Sequence, residues 1–136
     1  MLRNILVTGA NGQLGQSLKT LTEKNSDYNF IFIDKEDADL TDNTAISRLF
    51  ETNSLYAVLH LAAYTAVDKA ESEKDLCRQI NTQATETIAR LCQSHSAKLL
   101  VISTDFVFDG SKATPYLPSD KANPLSVYGK TKYITH

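Results

Sequence analysis

A tyrosine and a lysine in the stretch "NPLSVYGKTKYITH" have the spacing of a proton-transfer pair. Tyr128 and Lys132 are four residues apart, so they share one face of a helix. A free tyrosine has a pKa near 10, too high for efficient proton transfer at neutral pH. A neighbouring ammonium group favours the phenolate and brings that pKa toward neutral. The pair predicts proton transfer at a substrate oxygen, although this spacing alone is common on surface helices.

A glycine-rich segment near the N-terminus predicts a phosphate site. "TGANGQLG" places Gly9, Gly12 and Gly15 directly between an apolar strand and a helix. Glycine permits an unusual backbone angle, close approach of the chain to a pyrophosphate, and tight packing of helix on strand. The helix N-terminus adds unpaired N–H groups. No G-K-[S/T] follows, which excludes a nucleoside triphosphate P-loop. The segment therefore predicts a dinucleotide site.

Two charged residues after the second strand bear on which dinucleotide binds. Asp34 follows Gly15 by 19 residues, where a carboxylate can accept hydrogen bonds from the adenosine ribose of NADH. Lys35 could instead pair with the additional phosphate of NADPH. The sequence leaves both cofactors open.

Further polar groups fit a nicotinamide site at the opposite end of such a cofactor. Lys132 can hydrogen-bond the nicotinamide ribose, and an oxidised nicotinamide also favours the Tyr128 phenolate. Ser103 and Thr104 end the fourth apolar strand, where a hydroxyl would polarise a substrate carbonyl. The order of glycine loop, hydroxyls, tyrosine and lysine along the chain is more specific than any one of these features.

Apolar strands alternate with amphipathic helices along the whole chain. The strands are "RNILVT", "NFIFID", "YAVLHLA" and "KLLVIS". One helix begins at about Gln13, a second follows Thr41 or Asp42 as cap, a long third carries Leu76 to Leu91, and a fourth starts in "LSVYGKTKYI". This alternation predicts an α/β fold, a doubly wound, Rossmann-like parallel sheet with helices on both faces. Ligands in such sheets bind beyond the carboxyl ends of the strands.

Size and composition indicate one ordinary globular domain, residues 1–136. The net charge is -2 and 42% of residues are hydrophobic, with no basic stripe to bind nucleic acid. No apolar run approaches the length of about 20 residues needed to span a membrane, and no signal peptide precedes the first strand. We expect a cytoplasmic protein.

Cysteine and histidine give no sign of a metal site. Cys77 and Cys92 fall in a predicted helix without a CxxC motif, so we expect reduced structural thiols. The three histidines, His60, His95 and His136, are scattered and are not predicted to be ligands.

Four stretches resemble the extended branch of the short-chain dehydrogenase/reductase superfamily and, within it, the dTDP-4-dehydrorhamnose reductase family. They are "VTGANGQLGQSL", "LAAYTAVDKAE", "STDFVFDG" and "NPLSVYGKTK". The first and last are common to the superfamily, whereas the middle two are more specific. The resemblance covers residues 1 to about 132.

The resemblance implies an NAD(P)H-dependent reduction of the C4 ketone of dTDP-4-dehydro-L-rhamnose. Tyr128 would donate the proton, Lys132 would tune it, and Thr104 would occupy the usual serine position. Thr104 and Asp105 would touch the sugar. The implied cofactor contacts, beside those above, are Asn11, Gly12, Gln13 and Leu14 at the pyrophosphate, Asp39 and Leu40 at the adenine, and Ala62, Ala63 and Tyr64 after the third strand. The family also implies a possible homodimer with Mg²⁺ at its contact.

The sequence departs from that family in two ways. Phe106 replaces a usual tyrosine. Family members are about twice as long, so we expect this chain to correspond to the N-terminal part, without the C-terminal substrate region. Cofactor binding should then survive better than catalysis, and the fourth strand should lie at an open edge. The alternatives are a non-catalytic NADP-binding regulatory subunit of the methionine adenosyltransferase type, and another sugar-nucleotide reductase or epimerase.

Overall fold

Four parallel strands form the sheet that the alternating pattern predicted. The computed structural model describes residues 2–24 and 27–133. The strand order is β2-β1-β3-β4, and all three pairings are parallel. The strands are β1 (Arg3–Thr8), β2 (Tyr28–Phe32), β3 (Leu55–His60) and β4 (Lys98–Val101). Since β1 pairs with both β2 and β3, the chain reverses its direction of travel between them, which confirms the doubly wound class.

Helices occupy the connections between the strands. They are α1 (Gln13–Thr22), α2 (Asn43–Thr52), α3 (Val67–Ala70), α4 (Lys74–Arg78), a π-helix (Gln79–Gln83), α5 (Ala84–Ser94), a 3-10 turn (Asp105–Val107) and α6 (Val127–Tyr133). Within the described ranges, no helix is long and apolar enough to cross a bilayer.

The predicted helix boundaries hold with two differences. Of the two candidate caps, Asp42 begins α2, its carboxylate accepting the N–H of Thr44 at 2.9 Å. The predicted long third helix runs unbroken from Lys74 to Ser94, but a π-helix replaces its middle turn. The fourth predicted helix begins at Val127, two residues later than Leu125. The prediction that it extends through Ile134, and the one made for His136, lie outside the described residues.

The main core lies between one face of the sheet and helices α2 and α5. Leu6 and Val58 project from the strands into a buried cluster with Ile46, Phe50 and Ile88 of those helices. Burial of such side chains contributes about 1.5–3 kcal/mol each. This cluster fixes the strands whose ends carry the candidate site.

Helix α1 lies on the opposite face, near Phe30 and Phe32, with Lys19 above the Phe32 ring at 5.5 Å. Its leucine stripe is largely exposed: Leu14 is 52% and Leu21 71% accessible. The spacing of these leucines therefore predicted the helix correctly although they do not form a core.

Strand β4 is an edge strand of the sheet that residues 2–24 and 27–133 form, as predicted. Leu99 packs into the main core, so Leu100 faces the other side of the sheet, where it is 50% exposed. Ile102, just after the strand, is 40% exposed. An edge with apolar neighbours is a template for pairing with another chain.

Candidate functional site

A cleft of about 950 Å³ opens at the carboxyl ends of all four strands. This is where a doubly wound sheet binds ligands. Most of the predicted site residues line it, from every part of the chain: Gly9, Asn11, Gly12, Gln13, Leu14, Gly15, Asp34, Lys35, Asp39, Leu40, Ala62, Ala63, Ser103, Tyr128 and Lys132. The fold thus brings the glycine loop and the tyrosine–lysine pair into one cavity.

Three predicted site residues do not line this cleft. The hydroxyl of Thr104 accepts the N–H of Phe106 at 3.2 Å and so caps the 3-10 turn. Asp105 is the first residue of that turn, and the backbone N–H and carbonyl of Tyr64 are hydrogen-bonded to the side chain of Asn81. Of the two candidate hydroxyls after β4, Ser103 is therefore the one in the cleft.

The glycine loop is packed against both β3 and α1. Gly9 has a φ of +68°, and a Cβ there would lie 2.7 Å from the backbone nitrogen of Ala62. A Cβ on Gly15 would lie 2.4 Å from the carbonyl oxygen of Gly9. Any side chain at these two positions would therefore collide with backbone. The packing aims the first N–H groups of α1, which have no partner within the helix, toward the cleft.

Asp34 fastens the glycine loop to the end of β2. Its carboxylate accepts the N–H of Asn11 at 2.8 Å and the N–H of Lys35 at 2.7 Å. These backbone hydrogen bonds, that from Asn11 first, lower the pKa of the Asp34 carboxyl. The carboxylate therefore stays ionised beside the cavity, and each oxygen retains a lone pair for a further donor.

Asp39 forms a local turn at the outer end of the cleft. One of its carboxylate oxygens accepts both the hydroxyl and the N–H of Thr41, at 2.7 and 2.9 Å. The bond from the Thr41 hydroxyl is the main cause of the lowered pKa of Asp39.

Tyr128 and Lys132 lie on the buried face of α6. They are 8% and 4% exposed, and both reach the cleft. Burial lowers the pKa of the Lys132 ammonium. The Tyr128 ring packs in a small cluster with Ala70 and Cys77, and it makes a T-shaped contact with the Phe106 ring, with 5.7 Å between the ring centroids. The pair is therefore held in fixed positions at the inner end of the cavity.

Asn81, on the π-helix, ties this region together and was not identified from the sequence. Its side-chain oxygen accepts the N–H of Tyr64 at 2.8 Å, and its amide donates to the carbonyl of Tyr64 at 3.0 Å and to the hydroxyl of Thr131 at 3.2 Å. The neighbouring Thr82 donates to the carbonyl of Thr131 at 2.9 Å. The only sequence signal was polar residues interrupting the stripe between Ile80 and Ala84.

His60, which also lines the cleft, is a second buried polar group. Its Nδ1 lies 2.7 Å from the Thr8 hydroxyl, and no protein hydrogen bond to Nε2 is recorded within the described part of the chain. Burial, with a smaller effect from the charge of Lys132, lowers the pKa of His60 to about 4. The imidazole is therefore neutral at physiological pH.

Metal ligands are not clustered in residues 2–24 and 27–133, where no group of three or more His, Cys, Asp or Glu could hold an ion. Cys77 and Cys92 are buried free thiols, which agrees with the structural role predicted for them. The Mg²⁺ implied at a dimer contact stays a prediction.

Comparison with known proteins identifies relatives over almost the whole chain. The family model described as RmlD substrate binding domain matches residues 3–135. A dTDP-4-dehydrorhamnose reductase from Aggregatibacter actinomycetemcomitans is 35% identical over 131 residues, 96% of this chain and 45% of the relative. The chain thus spans about half the length of the curated relatives it matches.

Solved structures agree with this result. A dTDP-4-dehydrorhamnose reductase from Clostridium acetobutylicum superposes with a TM-score of 0.93 at 39% identity, covering 97% of this chain and 47% of that one. The reductase from Bacillus anthracis, crystallised with NADP, gives 0.91 at 35% identity, covering 99% and 48%. The chain therefore belongs to the RmlD substrate binding domain family.

Proposed function

We propose that this chain forms the cofactor-binding part of an NAD(P)H-dependent reductase that acts on the C4 ketone of dTDP-4-dehydro-L-rhamnose. The observation that carries the proposal is the single cleft that contains the glycine loop, Asp34, Tyr128 and Lys132. The NADP bound to the Bacillus anthracis relative supports NADPH as one cofactor.

The cleft suits a dinucleotide in both its surface and its charge. Gly9 and Gly12 leave the loop without side chains beside the first N–H groups of α1, which gives the pyrophosphate a close approach. The ionised Asp34 would accept the adenosine ribose hydroxyls. Lys35 would favour the additional phosphate of NADPH.

The residues at the inner end of the cleft would move the proton that accompanies reduction. When bound, NAD(P)H would supply the hydride for the ketone carbon. Tyr128 would donate its phenolic proton to the ketone oxygen, which gives the alcohol and leaves a tyrosinate. Lys132 would stabilise that anion until water returns a proton to it. Ser103, and Thr104 with Asp105 as the resemblance implies, would orient the sugar.

The first test is titration of the purified 136-residue chain with NADPH and NADH, followed by nicotinamide fluorescence. Saturable binding with micromolar affinity is expected, and Tyr128→Phe should bind comparably, since its ring packs in the same cluster. Well-folded protein that binds neither cofactor would refute the proposal. Capture of a larger partner protein, without reduction of the nucleotide sugar, would instead favour the non-catalytic NADP-binding alternative.

A further inference from the structure

Helix α6, which carries the tyrosine–lysine pair, begins with a hydrogen bond from a distant segment. The carboxylate of Glu71 accepts the backbone N–H of Val127, the first residue of the helix, at 2.9 Å. The two residues are 56 positions apart. The first N–H groups of a helix have no partner within it, so Glu71 supplies one that the helix cannot supply for itself.

The segment that ends at Glu71 also lines the cleft. Ala62, Ala63 and Thr65 border the cavity after β3, and α3 follows at once. Ala70, the last residue of α3, is fully buried in the cluster that holds the Tyr128 ring. Ala70 thus packs with the side chain of Tyr128, and its neighbour Glu71 contacts the backbone of Val127.

The first turn of α6 also packs closely against the segment that follows β4. A Cβ on Gly129 would lie 2.3 Å from the carbonyl oxygen of Phe106, so the helix presses directly on the chain after β4. The hydroxyl of Ser126 accepts the N–H of Gly129 at 2.9 Å. The Phe106 backbone and the Glu71 carboxylate thus both contact the first turn of α6, the turn that contains Tyr128.

We propose that Glu71 is a positioning residue for Tyr128 and Lys132: its carboxylate fixes the start of α6 against the loop that lines the cleft. The role of Tyr128 and Lys132 in proton transfer, and with it the effect of Glu71 on catalysis, rests on the proposed function. Glu71 touches neither cofactor nor substrate; it acts through the backbone of Val127. The loop after β3 and the start of α6 are therefore expected to respond together when the cleft is filled.

The test compares three variants of the full chain. Glu71→Ala removes the acceptor, Glu71→Gln retains an oxygen acceptor without the charge, and Glu86→Ala removes an equivalent charge from an exposed position on α5. The first readout is amide hydrogen exchange at Val127 by NMR. Glu71→Ala should accelerate this exchange about five-fold, the size expected when a capping bond is lost, whereas Glu71→Gln and Glu86→Ala should leave it within about two-fold.

Two further readouts separate positioning from general stability. NADPH affinity should fall about five-fold in Glu71→Ala and recover in Glu71→Gln, because Lys132 is displaced only in the former. The ¹³Cζ resonance of Tyr128, assigned through its loss in Tyr128→Phe, should move to a different chemical shift in Glu71→Ala alone, because only that variant changes the position of the Tyr128 ring. Wild-type behaviour of Glu71→Ala in exchange and affinity would overturn the inference, as would a Glu71→Gln variant that behaves like Glu71→Ala.

The role of Glu71 can still be tested if the wild-type chain binds no NADPH or if Glu71→Ala does not fold. If the wild-type chain binds no NADPH, the proposed function fails, while the exchange and Tyr128 readouts still decide the role of Glu71. If Glu71→Ala does not fold, Val127→Pro removes the donor instead, since proline is well accepted at the first position of a helix. Val127→Pro should then lower NADPH affinity about five-fold, and wild-type affinity in this variant would overturn the inference.

Discussion

The buried imidazole of His60 should make the stability of the fold depend on pH in a defined window. Its pKa is about 4 in the folded protein, against 6.5 for an exposed histidine. The unfolded chain therefore binds a proton between these values that the folded protein does not bind. The contribution of the neutral His60 imidazole to the free energy of unfolding is therefore fully present above pH 6.5 and is lost as the pH falls toward 4.

The size of this effect follows from the two pKa values. Each unit of pKa difference is about 1.4 kcal/mol, which sets a ceiling of about 3 kcal/mol on the loss. Between pH 7 and pH 5 the linkage relation gives a decrease of about 2 kcal/mol in the free energy of unfolding. This is a large share of the stability of a small domain.

Urea denaturation followed by circular dichroism at pH 7, 6 and 5 measures this loss. His60→Asn, which keeps a polar group near Thr8, should be less stable at pH 7 but should lose about 2 kcal/mol less than the wild type on going to pH 5. His95→Asn, at an exposed position, is the matched control and should follow the wild type. Equal losses in the wild type and His60→Asn would refute the assignment of the buried neutral imidazole.

Four carboxyl groups with lowered pKa values change the stability of the fold only at a lower pH than His60 does. The pKa values of Asp34, Asp39, Asp109 and Asp120 are lowered from 3.8 in the folded protein. Their stabilisation is present above that value and is lost only as the pH falls further. Measurements at pH 5 and above therefore avoid the range in which these four carboxylates lose their stabilisation.

Three further predictions concern the cleft and its support. Gly12→Ala should weaken NADPH binding by about tenfold, because the new Cβ occupies the approach of the pyrophosphate while the fold, checked by circular dichroism, is retained. Asp34→Asn should shift the ratio of NADPH to NADH affinity toward NADPH by about tenfold in paired fluorescence titrations, because it removes a charge that repels a phosphate; an unchanged ratio would contradict the ribose-binding role. Asn81→Ala should lower the free energy of unfolding by about 2–3 kcal/mol in urea, since it leaves Tyr64 and Thr131 without their buried partner; a loss below about 0.5 kcal/mol would contradict the importance of these bonds.

The parts of the fold that the sequence predicted are those encoded locally. Strand β1 has the bounds of its apolar run, "RNILVT", because a buried strand ended by a glycine has a strong local pattern. The start of α6 was placed two residues too early because Leu125 and Ser126 are compatible with a helix. The position of Glu71 and the contact at Gly129 decide where that helix begins.

Most residues that line the candidate site could be predicted from the sequence, whereas the buried and capping residues that position them could not. Residues that would touch the cofactor belong to short patterns, and those patterns meet in one cleft. Asn81, His60 and Glu71 act on partners 17 to 56 positions away, so no local pattern signals them. Thr104 could not be separated from Ser103 because adjacent residues at a strand end point in different directions.

The π-helix between α4 and α5 has a consequence for how the chain tolerates changes in length. A turn of five residues adds one position to the usual repeat, so the side chains on either side of it are out of phase by about 100° relative to a continuous α-helix. Removing any one residue from Gln79–Gln83 would let the segment relax into an ordinary helix. Because that deletion takes out the position that the π-turn adds, Cys77 and Ile88 would keep their directions relative to each other. Deletion of an exposed residue of this turn, Gln79 or Gln83, should therefore be tolerated better than deletion of a residue within α4 or α5, where the two halves of the helix would be rotated by about 100°.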